Sequence, residues 1–366
     1  MNRQSNSTRL CRLIGIRHPI FQAPMAGGPD SPGLAATVSE SGGLGSIGGA
    51  YLSPEDLRAR MRRVKSLTKR PFSVNLFLPA ATHELTPKKI ARARRLLKPF
   101  AQRLDIPLPV LREPFQMDFG QQLEVVLDEG PRILSFTFGI PDPTVLQRCF
   151  SRGILAMGTA TSVEEGMALQ NAGVDIICAQ GAEAGGHRGS FMDQRGADPL
   201  GLFALLPLLV ASVKTPIVAA GGIMNGAAIA AALCLGAGAA QLGTALLACA
   251  ESGTSAPYKS ALLKKAAVKP TRFTRAFSGR LARGLINEFM DRVDPHEDSI
   301  LPFPAQNALT RELRQASAKA GEPEMLSLWA GQAAALIRER KARGLVRELV
   351  EEMRQASRRL VSAQGG

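Results

Sequence analysis

Eight short apolar segments, each ended by glycine or polar residues and followed by a helix-like stretch, constrain this chain more than any other feature. They lie at 19–23, 43–47, 72–77, 133–138, 154–158, 174–179, 217–220 and 239–242. This alternation is the pattern of parallel βα units. Several of the segments are apolar almost without interruption, as strands covered on both faces should be. Helix starts are marked between them. Ser31-Pro32 places a capping side chain before a proline at the first helical position, and Ser53-Pro54-Glu55 and the stretch from Thr161 to Glu165 give similar signals. Eight such units favour a closed (β/α)8 TIM barrel over an open doubly wound sheet. Two stretches stand outside the repeat. Residues 79–120, rich in proline and basic side chains, interrupt it after the third segment, and residues beyond 253 carry no further strand pattern and read as helices joined by loops. The expected organisation is a barrel over 14–252 with an insertion near 79–120, and a helical extension over 253–366 packed on the barrel.

Composition narrows the class. The chain is 45% hydrophobic and 21% charged, the balance of a packed globular protein, and no apolar run reaches membrane length. Its first residues lack a continuous apolar stretch before a small-residue cleavage site, so the expectation is a cytoplasmic protein. Cys11, Cys149, Cys178, Cys234 and Cys249 are odd in number and widely spaced, with no CxxC pair, and read as reduced thiols. The net charge of +14 is concentrated in two clusters, one from Arg58 to Arg70 that includes Arg60, the other from Lys88 to Arg103. Without interleaved aromatics or a nucleic-acid motif, these read as solvated helix faces that attract anionic small molecules. No specific nucleic acid and no membrane is expected as a partner, and a homodimer stays open.

In a barrel of this kind the site lies at the C-terminal ends of the strands. After the first segment comes Gln22-Ala23-Pro24-Met25-Ala26-Gly27-Gly28, whose proline and glycines let backbone approach a flat ring. Asn75 is a lone amide on the third segment, either facing a ligand or satisfied internally. The sixth ends in Gln180-Gly181-Ala182-Glu183-Ala184-Gly185-Gly186-His187-Arg188-Gly189. A core-filling histidine does not need a glycine-flanked loop, so His187 is the candidate catalytic residue, a ring able to titrate near neutral pH. His18, His83 and His296 lack that setting. The last two segments run into Gly221-Gly222 and Gln241-Leu242-Gly243-Thr244, glycine turns of the kind that bind phosphate through backbone N–H groups, with the Thr244 hydroxyl as a further donor. No P-loop, no GxGxxG after the first strand, no GxSxG and no metal-ligand spacing occurs. An organic cofactor carrying phosphate is left to do the chemistry.

At these residues the sequence resembles the nitronate monooxygenase family, formerly called 2-nitropropane dioxygenases. Gln22 to Met25, Gly42 to Ile47, Val74 to Phe77, Gln180 to Arg188 and Gln241 to Thr244 fall in family order, and the likeness extends to Phe277-Ser278-Gly279-Arg280 and to Ser327 through Gln332. The resemblance implies a TIM barrel holding FMN non-covalently. It implies that Asn75, Gln180, Gly185, Gly186 and Gln241 to Thr244 contact the flavin. The Gly221-Gly222 and Gly243 turns would lie around its phosphate and the Gln22 to Met25 backbone near its ring. His187 matches the family's active-site histidine, which abstracts a proton from nitroalkanes or stabilises the bound anion. The implied reaction is oxidation of an alkyl nitronate by FMN and dioxygen to an aldehyde or ketone plus nitrite, without NAD(P)H. Two departures bear on the substrate. The only tyrosines are Tyr51 and Tyr258, whereas some members line the pocket with several, and Leu246 stands where phenylalanine is frequent. The competing reading on the same fold is an NAD(P)H-dependent flavin reductase of quinones or enoyl thioesters.

Overall fold

The computed structural model describes residues 8–79, 84–192, 198–265 and 270–363. His83 and part of the insertion lie outside them. Among the described residues eleven strands occur in chain order: β1 (Ile20–Gln22), β2 (Gly45–Gly48), β3 (Phe72–Phe77), β4 (Ile133–Thr137), β5 (Leu155–Ala160), β6 (Ile176–Gln180), β7 (Gly186–His187), β8 (Ile217–Ala220), β9 (Ala239–Leu242), β10 (Thr271–Thr274) and β11 (Ala282–Leu285). All but β7, β10 and β11 form one parallel sheet in the order β1-β9-β8-β6-β5-β4-β3-β2. The two ends meet. Phe21 bridges Leu44, the Gln22 N–H donates to the Leu44 carbonyl at 2.8 Å, and the Leu44 N–H donates to that of Ile20 at 2.9 Å. The barrel is closed, and its eight strands are the eight segments read from the sequence, each within a few residues of the expected bounds.

The connecting helices begin where the capping residues stand. Ser31, Ser53 and Ser162 each accept a hydrogen bond from the backbone N–H three residues on, and Pro32 and Pro54 follow the first two caps. Strand alternation then divides the core into an inner and an outer layer. Phe21, Leu44, Met157, Cys178 and Val218 fill the barrel interior in one cluster, while Ile20, Leu169, Leu205, Ile217 and Leu242 pack outward against helices in another.

The expectation that residues beyond 253 hold only helices and loops is corrected by β10 and β11. These pair antiparallel with each other, and β11 pairs with β7, setting Ala282 opposite His187 and Arg283 opposite Gly186. Four-residue segments such as Thr271-Arg272-Phe273-Thr274 are too short and too polar to show a period, and their partner is remote in sequence. The insertion and the C-terminal region also share a core. Leu97, Phe100 and Ala101 of the helix Pro87–Arg103 pack with Phe277, Phe289, Met290, Leu309 and Met325. Together they form a cap, and β7 to β11 pairing ties it to the barrel rim.

Candidate active site

A cavity of about 640 Å³ opens at the C-terminal ends of the barrel strands, between the rim and the cap. That volume lies in the range of small-molecule and cofactor sites. Of the residues singled out from the sequence, Ala23, Pro24, Met25, Asn75, Gln180, Gly185, Gly186, His187, Gly221, Gly222, Gln241, Gly243 and Thr244 all line it. Gln22 and Leu242 do not. Leu242 follows Gln241 on β9, so its side chain takes the opposite face and joins the outer core. Gln22 is buried, and its Nε2 donates to the Ser46 carbonyl at 2.8 Å. Arg60, read as part of a solvated cluster, also lines the cavity and lies 3.9 Å from the buried carboxylate of Asp30.

The glycine turns after β8 and β9 present donors. Gly222 takes φ +68°, a left-handed conformation that favours glycine, and the N–H groups of Gly222, Ile223 and Thr244 donate to no other described residue. Thr244 Oγ1 accepts from the Gly331 N–H at 3.0 Å, so its own proton stays available. The amides differ in how free they are. Gln180 donates through Nε2 to the His187 carbonyl at 2.9 Å and accepts the Gly189 N–H at 2.8 Å, which makes it the brace of the 186–189 loop. Asn75 spends Nδ2 on Ser135 and Thr137. Gln241 has only a 3.4 Å contact from Nε2 to Cys178 Sγ.

His187 sits at the end of β7 with its Nε2 2.9 Å from Ser278 Oγ of the cap. Phe77, Phe138, Phe303 and Trp329 surround its ring with centroids 5.7 to 6.0 Å away. Burial drives the imidazole down to about 3, and the charges of Arg280 and Arg314 push it the same way. The expectation that it titrates near neutrality is therefore corrected: in this site His187 is neutral. Phe138 holds φ +78° while the Arg280 guanidinium lies 3.8 Å above its ring, a non-glycine strain of the sort that collects at functional sites.

Positive charge enters instead from the helix Ala305–Lys319. Arg311 and Arg314 both line the cavity, and neither pairs with a carboxylate among the described residues. Arg314 is held by Asn307, whose carbonyl and Oδ1 accept from Nη2 at 2.9 and 2.8 Å. Burial lowers it to about 10, which leaves it protonated at neutral pH. The two tyrosines, Tyr51 and Tyr258, line the cavity as well, and the Tyr258 hydroxyl donates to the Trp329 carbonyl. Neither arginine was singled out from the sequence, because basic residues on an amphipathic helix look alike whether they face water or a cavity. No group of three metal-binding side chains occurs among the described residues, and no described helix is long and apolar enough to cross a membrane.

The family profile described as nitronate monooxygenase matches residues 7–352. The chain belongs to the nitronate monooxygenase family. A probable nitronate monooxygenase from Staphylococcus saprophyticus is 40% identical over 348 residues, covering 94% of this chain and 97% of that protein. Among solved structures, a nitroalkane oxidase from Streptomyces ansochromogenes shares 41% identity with a TM-score of 0.89, covering 96% of this chain and 99% of the other. FabK from Thermotoga maritima shares 28% identity with a TM-score of 0.76, covering 97% and 99%. As a member of the nitronate monooxygenase family the chain is an oxidoreductase, and these relationships support nitronate oxidation.

Proposed function

We propose that the protein binds FMN non-covalently in the rim cavity and oxidises alkyl nitronates with dioxygen to an aldehyde or ketone plus nitrite. The observation that carries this reading is the donor set. Backbone N–H groups at Gly222, Ile223 and Thr244 that donate to no other described residue suit a phosphate, while Gln241 and the Oδ1 of Asn75 offer polar contacts to the edge of a flavin ring and Gln180 braces the loop beside it. Ala23, Pro24 and Met25 supply backbone beside the ring, with Gly185 and Gly186 allowing close approach, and Gly221 and Gly243 complete the turns. When bound, the flavin supplies electron acceptance from the substrate and their delivery to dioxygen.

The chain's own residues select and orient the substrate. Arg314 and Arg311 draw an anionic nitronate toward His187, because a guanidinium without a carboxylate partner in a partly buried site attracts anions strongly. The aromatic ring of side chains around His187 excludes water. With a neutral nitroalkane, His187 accepts the α-carbon proton. Its low basicity does not forbid this, since the nitronate formed beside it stabilises the imidazolium and offsets the burial penalty. With a preformed nitronate that step is not needed. Aerobic assay of purified, FMN-loaded protein with ethyl nitronate should show oxygen uptake and nitrite release without any nicotinamide. Dependence of both on NAD(P)H would defeat the reading.

A further inference from the structure

We propose that Ser278 is a positioning residue that holds His187 as the Nε2–H tautomer, leaving the Nδ1 lone pair as the proton acceptor. The inference deepens the proposed function and rests on it only for the use made of that lone pair. Ser278 Oγ meets three groups: His187 Nε2 at 2.9 Å, the Arg280 carbonyl at 3.1 Å and the Arg280 N–H at 3.3 Å. A hydroxyl has one proton and two lone pairs. If Ser278 donates to the Arg280 carbonyl and accepts from the Arg280 N–H, its remaining lone pair must receive a proton from His187 Nε2. All three contacts are then satisfied. The opposite arrangement, Ser278 donating to His187, leaves a lone pair facing the Arg280 carbonyl oxygen at 3.1 Å, which is repulsive. His187 Nδ1 has no hydrogen-bond partner among the described residues, and His187 lines the cavity.

The turn that carries Ser278 is fixed on every side. Ser278 is 1% exposed, and Gly279 beside it takes φ +79° with no room for a side chain. A Cβ there would lie 2.1 Å from the Leu301 carbonyl oxygen and 2.7 Å from the Phe303 nitrogen. Thr310 Oγ1 donates to the Phe277 carbonyl at 2.6 Å and Gln306 Nε2 to that of Ala276 at 2.7 Å. The imidazole is therefore oriented by the cap, while its backbone follows barrel strand β6 and pairs with β11. A histidine's second nitrogen is set by the bond its first one makes. Deprotonation of a nitroalkane then breaks the α C–H bond, forms Nδ1–H, and sends the electron pair into the nitro group as the nitronate anion. Only the neutral nitroalkane requires this base.

The test is nitrogen NMR of the ¹⁵N-histidine-labelled holoprotein, with His187→Asn used to identify the His187 signals among those of the four histidines. The expected result is a protonated Nε2 and a bare Nδ1 at neutral pH. Ser278→Ala should populate the other tautomer and lower kcat/KM for nitroethane about tenfold more than for ethyl nitronate. Ser278→Thr, which keeps the hydroxyl, should restore both. A protonated Nδ1 in the unaltered protein overturns the proposal, as does a Ser278→Ala variant with unchanged tautomer and unchanged substrate ratio. The NMR reads the protein without turnover, so a protein that oxidises neither substrate would sink the functional reading while the tautomer was still decided.

Discussion

The barrel rim and the cap meet around one cavity, yet they bring different things to it. The rim contributes backbone: glycine turns after β8 and β9, the 23–25 segment after β1, and the glycine loop that ends in His187. The cap contributes side chains: Ser278 on His187, Trp329 and Phe303 around the ring, and Arg311 and Arg314 in the wall. A rim of backbone donors can hold one kind of cofactor whatever the substrate, whereas side chains on a separate layer can change without disturbing it. Under the proposed function, this division gives cofactor binding to the rim and substrate handling to the cap.

Two glycine substitutions should break this comparison most forcefully. A Cβ at Gly45 would lie 1.9 Å from the Ala35 carbonyl oxygen, inside the seam between a strand and its helix, and at Gly185 it would lie 2.6 Å from Ala330 and Gly331 backbone, at the seam between rim and cap. Gly45→Ala should destabilise the whole barrel by about 3 kcal/mol or more, since backbone on both sides must move. Gly185→Ala should leave the barrel folded by circular dichroism while displacing the cap and weakening flavin retention. Equal loss of thermal stability in the two variants would mean that rim and cap fold as one unit.

The next largest effect is chemical. His187→Asn should lower kcat/KM for nitroethane by about 10² to 10⁴, the usual range for loss of a general base, and affect ethyl nitronate far less. Arg314→Met should reverse that order of sensitivity, lowering kcat/KM for the nitronate by about 10- to 100-fold while FMN affinity stays close to that of the unaltered protein. A large loss of FMN affinity in the Arg314 variant would place this cap residue with the cofactor and blur the division.

The smallest effect is a pH dependence. His187 lies at about 3 when folded against an ordinary value near 6.5, so between these limits the unfolded chain binds the additional proton. Its contribution therefore makes stability rise with pH across that window and fall as the solution is acidified. Asp30, pushed up to about 7 by burial, acts in the opposite sense: the folded state binds the extra proton, and stability is lost as pH rises toward 7. Denaturant midpoints of the unaltered protein relative to His187→Asn should therefore fall from pH 6.5 downward. A parallel pair of curves would show that His187 is not held neutral by burial.

How much of this was legible in the sequence follows the same division. The rim was readable because strand periodicity, capping serines and glycine turns are local signals, and β1 to β6, β8 and β9 stand where the apolar segments predicted. Two residues of the rim motifs, Gln22 and Leu242, lie outside the cavity lining, because a motif names consecutive residues while a strand sends alternate ones to opposite faces. The cap was readable only in part. Its motif around Ser278 could be matched to a family, but the pairing of β7 with β11 depends on segments far apart in sequence. Arg311 and Arg314 followed from no local pattern, since what sets them apart is the lack, among the described residues, of a carboxylate partner in three dimensions.

The most direct test of the central claim is anaerobic mixing of the FMN-loaded protein with an alkyl nitronate, and separately with NADPH, while the flavin absorbance is followed. Reduction of the flavin by the nitronate, with no comparable response to NADPH, is the predicted result. Bleaching by NADPH alone would contradict the account and make the protein a nicotinamide-dependent reductase.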